Sequence, residues 1–189
     1  MLVAGADTSD NDQYVAIVVG EAENVDRIHG RLGVPHIHMT KFASRREKQN
    51  IAQSLALDGC IRSACFKIDR PKIIQRVERQ RNKGGEFAQR RRIQVQFNYA
   101  LRKRISEVFS EFVSSNGTSL SEIVFQVDHD LQETLQSTGL RCGLMSKAHE
   151  LADIVGWANH ASMQIENVLE FDFTKDIEEY VLERVAGRG

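Results

Sequence analysis

Two short apolar runs, Leu2 to Ala6 and Tyr14 to Val19, flank the polar stretch TSDNDQ near the start of the chain. Runs this short, bounded by turn-forming residues, read as strands, so the chain opens on a β-hairpin and must build a sheet. A third short strand is expected around His36 to Met39, after the Gly- and Pro-containing stretch HGRLGVPH. Ser44 then has the character of a helix N-cap, with Glu47 three residues on completing a capping box and Gly59 stopping the helix. Cys60 to Ile68 returns to strand character. From Arg70 to about Ser114 the pattern is helical and strongly charged, with a break expected at Lys83-Gly84-Gly85. Ile93, Phe97, Leu101, Ile105, Val108, Phe109 and Phe112 recur at three- and four-residue steps, which makes the second piece a long amphipathic helix. Glu122 to Val127 reads as a strand, Leu131 to Gln136 as a short helix and Gly139 to Met145 as a strand. His149 to Met163 and the tail DFTKDIEEYVLERV read as helices.

A chain of 189 residues with 41% hydrophobic content can bury one substantial core, so one domain over residues 1–189 is expected, with a helical excursion over about 70–114. No apolar run approaches the roughly 18 residues of a membrane span, and MLVAGADTSD lacks a signal-peptide pattern, which predicts a cytoplasmic protein without a membrane partner. Cys60, Cys65 and Cys142 lie in strand-like settings without a CxxC spacing, and the expectation is buried, reduced thiols. The formal net charge of −1 argues against a dedicated basic nucleic-acid binder, but the charges are asymmetric. Cations dominate from Lys67 to Arg104, and acids dominate after Ser119. The clusters Arg90-Arg91-Arg92 and Arg102-Lys103-Arg104 are therefore candidate contacts to a nucleic-acid backbone, with a solvated helix face as the alternative.

Three aspartates stand out. Asp7 closes the first apolar run in GADTSD, Asp128 closes another in FQVDHD, and Asp153 lies in the apolar helix HELADIVGWANH. With Leu151, Ala152, Ile154, Val155 and Trp157 around it, Asp153 has little polar surface to occupy, and an unpaired buried carboxylate is costly. Carboxylates from two strand ends and one helix can converge at the carboxyl edge of a mixed sheet, where oxygen ligands suit Mg2+ or Mn2+. Strand-end turns and a helix salt bridge are the structural alternative for each residue. His149 and Asp153 share a helix face, and His36 and His38 alternate, but without an HExxH pattern zinc is not expected. His160 lies on the face of Asp153. No Walker loop, GxGxxG or GxSxG occurs, which removes the main support for NTPase, dinucleotide and α/β-hydrolase readings.

Strand, strand, strand, helix, strand, long helix, strand, strand, helix is an α/β order in which parallel crossovers follow an antiparallel meander. That order is similar to the ribonuclease H-like one. The helix LMSKAHELADIVGWANH resembles the closing motif of an uncharacterised microbial family of ribonuclease H-like predicted nucleases. The matching elements are Asp7, His38 in HIHMTKF, Asp128 in VFQVDHD, Ser146-Lys147 and Leu151-Ala152-Asp153. Thr8 stands where that family has glutamate, leaving Asp10 or Asp12 to supply a second carboxylate, and by strand count Asp69 is the substitute for Asp128. The resemblance implies a divalent-metal-dependent nuclease in which Asp7, Asp128 and Asp153 ligate Mg2+ or Mn2+ and Lys147 contacts the scissile phosphate. The alternatives are a catalytically silent module that binds nucleic acid or protein, and an assembly subunit whose long helix buries Phe97, Phe109 and Phe112 in a homodimer.

Overall fold

The computed structural model describes residues 1–9, 14–80, 91–101, 103–104, 107, 123–127, 132, 136, 141–143 and 146–186. The opening hairpin is formed by β1 (Leu2–Ser9) and β2 (Tyr14–Glu21), antiparallel in register from Leu2 beside Glu21 to Ser9 beside Tyr14. Helix α1 (Ala22–Arg31) follows directly, then an irregular segment and a 3-10 turn (Met39–Lys41), helix α2 (Arg45–Ser54) and β3 (Ile61–Lys67). The expected strand at His36 to Met39 is thus corrected to an irregular segment. Its Ile37 and Met39 amides bond to helix carboxylates instead of to a neighbouring strand. The capping box forms as expected, with the Ser44 hydroxyl accepting from the Glu47 amide and Glu47 accepting from the Ser44 amide.

Helix α3 (Arg70–Gln80) is followed by a helical stretch over residues 91–101, here α4. Then come β4 (Val124–Val127), the short β5 (Cys142–Gly143), α5 (Lys147–His160), β6 (Val168–Asp172) and α6 (Thr174–Ala186). The break expected at Lys83-Gly84-Gly85 lies outside the described residues. The strand β6 has no counterpart among the expected elements, in which the tail is a single helix.

Among the described residues six strands form one sheet in the order β5-β4-β1-β2-β3-β6. β2 is antiparallel to both of its neighbours, and the other pairs are parallel, so β2 alone runs against the rest. Strand alternation sends Ala4 and Ala6 of β1 to one face and Val3, Gly5 and Asp7 to the other. On the Ala4 face, Ile73 and Val77 of α3, Phe97 and Leu101 of α4, and Ile177 and Val181 of α6 complete one core with Phe66 and Phe125. On the Val3 face, Val25 and Ile28 of α1, Ala52 of α2, and Leu151, Ile154 and Val155 of α5 form the second core. The protein is therefore an α/β structure with helices on both faces of a mixed sheet.

Phe97 is fully buried in this chain's own core beneath the Arg70 guanidinium, 5.4 Å from the ring centre, so it is not available to a dimer interface. Phe109 and Phe112 lie outside the described residues. Of the three free cysteines Cys65 alone is fully buried, its thiol pushed up to about 12 by burial and then by the Glu170 charge, whereas Cys60 is exposed and Cys142 intermediate. Cys60 is the correction here, because it precedes β3 at a turn instead of joining it. Among the described residues no helix is long and apolar enough to cross a membrane.

Candidate functional site

Helix α5 carries the chain from β5 at one edge of the sheet to β6 at the other, so it must cross the central strands. Its composition suits that path. Ala148, Leu151, Ala152, Ile154, Val155 and Ala158 are all fully buried, as a helix covered on most sides requires. The crossing over β1 is unusually close. A Cβ added at Gly5 would lie 2.0 Å from the Ala148 carbonyl carbon and 2.3 Å from the His149 nitrogen, which only glycine allows.

Two residues beyond Gly5 on the same face of β1 comes Asp7, and four residues beyond His149 on α5 comes Asp153. The close crossing at Gly5 therefore brings the end of β1 and one turn of α5 together. Asp7 is 7% exposed and Asp153 5% exposed. His149 Nε2 lies 3.4 Å from Asp7 Oδ1. Asp153 Oδ2 accepts the Met39 amide at 2.7 Å and lies 3.3 Å from His38 Nδ1. Burial, and after it the negative charge of Asp7, raises the Asp153 carboxyl to about 7, against the Met39 amide and His149, which favour the charged form. Two carboxylates this close to each other in a buried site call for a proton or a cation between them.

One turn earlier on α5, Glu150 makes a parallel arrangement. Its Oε2 accepts from His29 Nε2 at 2.6 Å and from the Ile37 amide at 2.8 Å, while its Oε1 lies 3.6 Å from His36 Nδ1. Burial pushes the Glu150 carboxyl up, but the Ile37 amide and His29 outweigh it and hold it below the usual range. Alternate amides of residues 37 and 39 thus bond to carboxylates one turn apart on α5, which fastens this segment to the helix and sets His38 beside Asp153. Glu150→Ala removes the acceptor of the Ile37 amide and of His29, which is only 3% exposed. It is expected to cost about 2–3 kcal/mol in urea unfolding and to speed hydrogen exchange at the Ile37 and Met39 amides. A cost below about 0.5 kcal/mol would show that the segment is held by other contacts.

The other expected site residues that the structure describes lie apart from this pair. Asp128 lies outside the described residues, as do Asp10, Asp12, Arg90 and Arg102. Val127, the residue before Asp128, pairs with Ala6, the residue before Asp7. Asp69 follows β3, which is separated from β1 by β2, and its Oδ1 accepts the Lys72 amide at 3.1 Å as the cap of α3. Lys147 Nζ is 3.1 Å from Asp26 Oδ1 of α1 in an exposed pair. Arg91 and Arg92 belong to α4, in the layer across the sheet from Asp153. Lys103 lies 3.8 Å from Glu107, and Arg104 bonds to Glu107 at 2.8 Å and to Asp176 at 2.9 Å. His160 is exposed and packs edge-on against Tyr14 at 5.8 Å. Among the described residues, no group of three or more His, Cys, Asp or Glu side chains is arranged to hold a metal ion. His29 is a buried partner of this site that is absent from the expected residues. Its signal was present in the spacing Val25, Ile28, His29, which is the buried stripe of α1.

No protein-family model matches this chain, and no curated protein or solved structure matches it either.

Proposed function

We propose that this protein is a divalent-metal-dependent nuclease of the ribonuclease H-like kind that hydrolyses phosphodiester bonds at the Asp7 end of β1. The observation that carries the proposal is the buried pair Asp7 and Asp153, in which the charge of one carboxylate raises the other. The sheet order supports it, since β4 lies parallel to β1 and leads directly into Asp128. The carboxylate oxygens of this buried pair are donors that suit Mg2+ or Mn2+. When bound, such ions supply a water of lowered pKa and a Lewis acid for the leaving oxygen.

The chain's own residues have distinct tasks in this reading. Asp7 and Asp153, with Asp128 as the third carboxylate, would hold the cation. The Met39 amide orients Asp153 through Oδ2. His149 beside Asp7 and His38 beside Asp153 line the site and can donate to substrate oxygens. Lys147 has no part in this reading while its ammonium pairs with Asp26.

Incubation of the full chain with single-stranded and duplex DNA and RNA, with manganese or with chelator, tests the proposal. The expected result is manganese-dependent cleavage that Asp7→Asn reduces by at least about 100-fold, the loss caused even by outer-shell changes at metal sites. Equal cleavage by the Asp7→Asn protein, or none by the natural protein that has bound manganese, would overturn it.

A further inference from the structure

We infer that the groove between the Phe42 to Lys48 segment and the end of α5 is a track for single-stranded nucleic acid that leads to the Asp7 and Asp153 pair. This inference rests on the phosphodiester reading above and names how its substrate is held.

Two segments leave Asp153 together. One begins at Met39, whose amide bonds to Asp153, and continues through Phe42 to Arg45 at the start of α2. The other is α5 itself, which reaches Trp157 about 6 Å farther along its axis and then His160. Between them lies a cavity of about 510 Å³ lined by Phe42, Arg45, Lys48, Trp157 and His160, among others. That volume is within the roughly 300–1,000 Å³ of small-ligand pockets, so it suits a nucleotide or two and not the width of a duplex.

The lining has the chemistry for that ligand. Arg45 and Lys48 form no ion pair with a described residue, while the nearby Glu47 carboxylate is occupied by the Ser44 amide and hydroxyl. Two cations therefore face the groove, and no acid is among its lining residues. Trp157 and His160 add aromatic rings, and cations beside aromatic platforms are the means by which proteins hold single strands without reading sequence. The arginine-rich α4 is a poorer grip. It lies across the sheet, Arg104 is engaged by Glu107 and Asp176 and stacks over Phe173, and Arg92 points to the Arg184 carbonyl.

Trp157 is the only tryptophan in the chain, so its emission reports this groove alone. The test titrates the full chain with a twelve-residue oligothymidylate in chelator, where binding is read without cleavage, and repeats it by anisotropy of the labelled oligonucleotide. Quenching of Trp157 is expected. The double variant Arg45→Glu, Lys48→Glu should bind at least about 10-fold more weakly and lose roughly 1.4 from the salt slope, 0.7 for each phosphate contact to a single strand. Trp157→Leu should weaken binding by about 10-fold, and Trp157→Phe should retain most of it. Arg91→Glu, Arg92→Glu should bind as the natural protein does. Unaltered circular dichroism of each variant excludes misfolding, and the Trp157→Phe arm separates stacking from structural loss. Absence of quenching, unchanged binding by the Arg45, Lys48 variant, or loss confined to the Arg91, Arg92 variant would overturn the inference. Quenching without manganese-dependent cleavage would sink the nuclease reading and leave the track standing. Cleavage with unchanged binding by the Arg45, Lys48 variant would do the reverse.

Discussion

Asp153→Asn is expected to abolish manganese binding and, in chelator at pH 8, to raise the melting temperature instead of lowering it. The Asp153 carboxyl is raised from an ordinary 3.8 to about 7 in the folded protein. Between those values the native state binds a proton that the unfolded chain releases, so stability falls as pH rises from about 4 to 7 and stays reduced above that. Asparagine keeps the shape and the acceptor for the Met39 amide while removing the charge that burial and Asp7 oppose. The gain at pH 8 is bounded by roughly 4 kcal/mol, the free-energy equivalent of such a displacement, and should vanish near pH 4. Manganese should bind the natural protein more tightly above pH 7 than at pH 5, because the ion competes with that proton. Melting curves at pH 4 and pH 8, with chelator and with manganese, check each statement. A loss of about 3 to 5 kcal/mol in chelator at both pH values would mean that Asp153 serves a buried ion pair, and would end the proposal that it is a ligand.

Gly5→Val is expected to be the most damaging single substitution in the sheet. A Cβ at this position meets the backbone of Ala148 and His149 at 2.0 to 2.3 Å, and neither atom is the movable end of a side chain. The helix must lift from β1 or the strand must bend, and overpacking that backbone atoms cannot relieve costs at least about 3 kcal/mol. Lifting α5 also moves Asp153 from Asp7, so any folded Gly5→Val protein should have lost manganese binding. Gly5→Ala should show the same defect to a smaller extent. Gly30 is the control, since nothing lies within 4 Å of a Cβ placed there, and Gly30→Ala should leave stability unchanged or slightly higher. Denaturant unfolding of the three variants distinguishes them. A Gly5→Val protein as stable as the natural one would refute the close crossing that assembles the site.

The local signals in this sequence are those that neighbours in the chain can set. The hairpin is legible because Leu2 to Ala6 and Tyr14 to Val19 are short apolar runs around a polar turn, and backbone pairing needs little more. The capping box of Ser44 and Glu47 spans three residues, and α5 is apolar enough to announce its own burial and to make Asp153 anomalous. By contrast α1 has only Val25 and Ile28 as strong apolar signals, its third buried position being His29, whose partner Glu150 is 121 residues away. β6 is an edge strand that leaves four of its five residues exposed, so it lacks the run of buried residues that marks β3. The sequence by itself determined that there would be a sheet, a buried helix over it and an aspartate within that helix, because periodicity and burial cost are local properties. Only the tertiary structure decided that Asp153 meets Asp7, that Asp69 caps a helix away from β1, and that the basic helix lies across the sheet from the candidate site. Those outcomes depend on which strands are neighbours and on which face each crossover takes, and both are set by packing between residues distant in the chain.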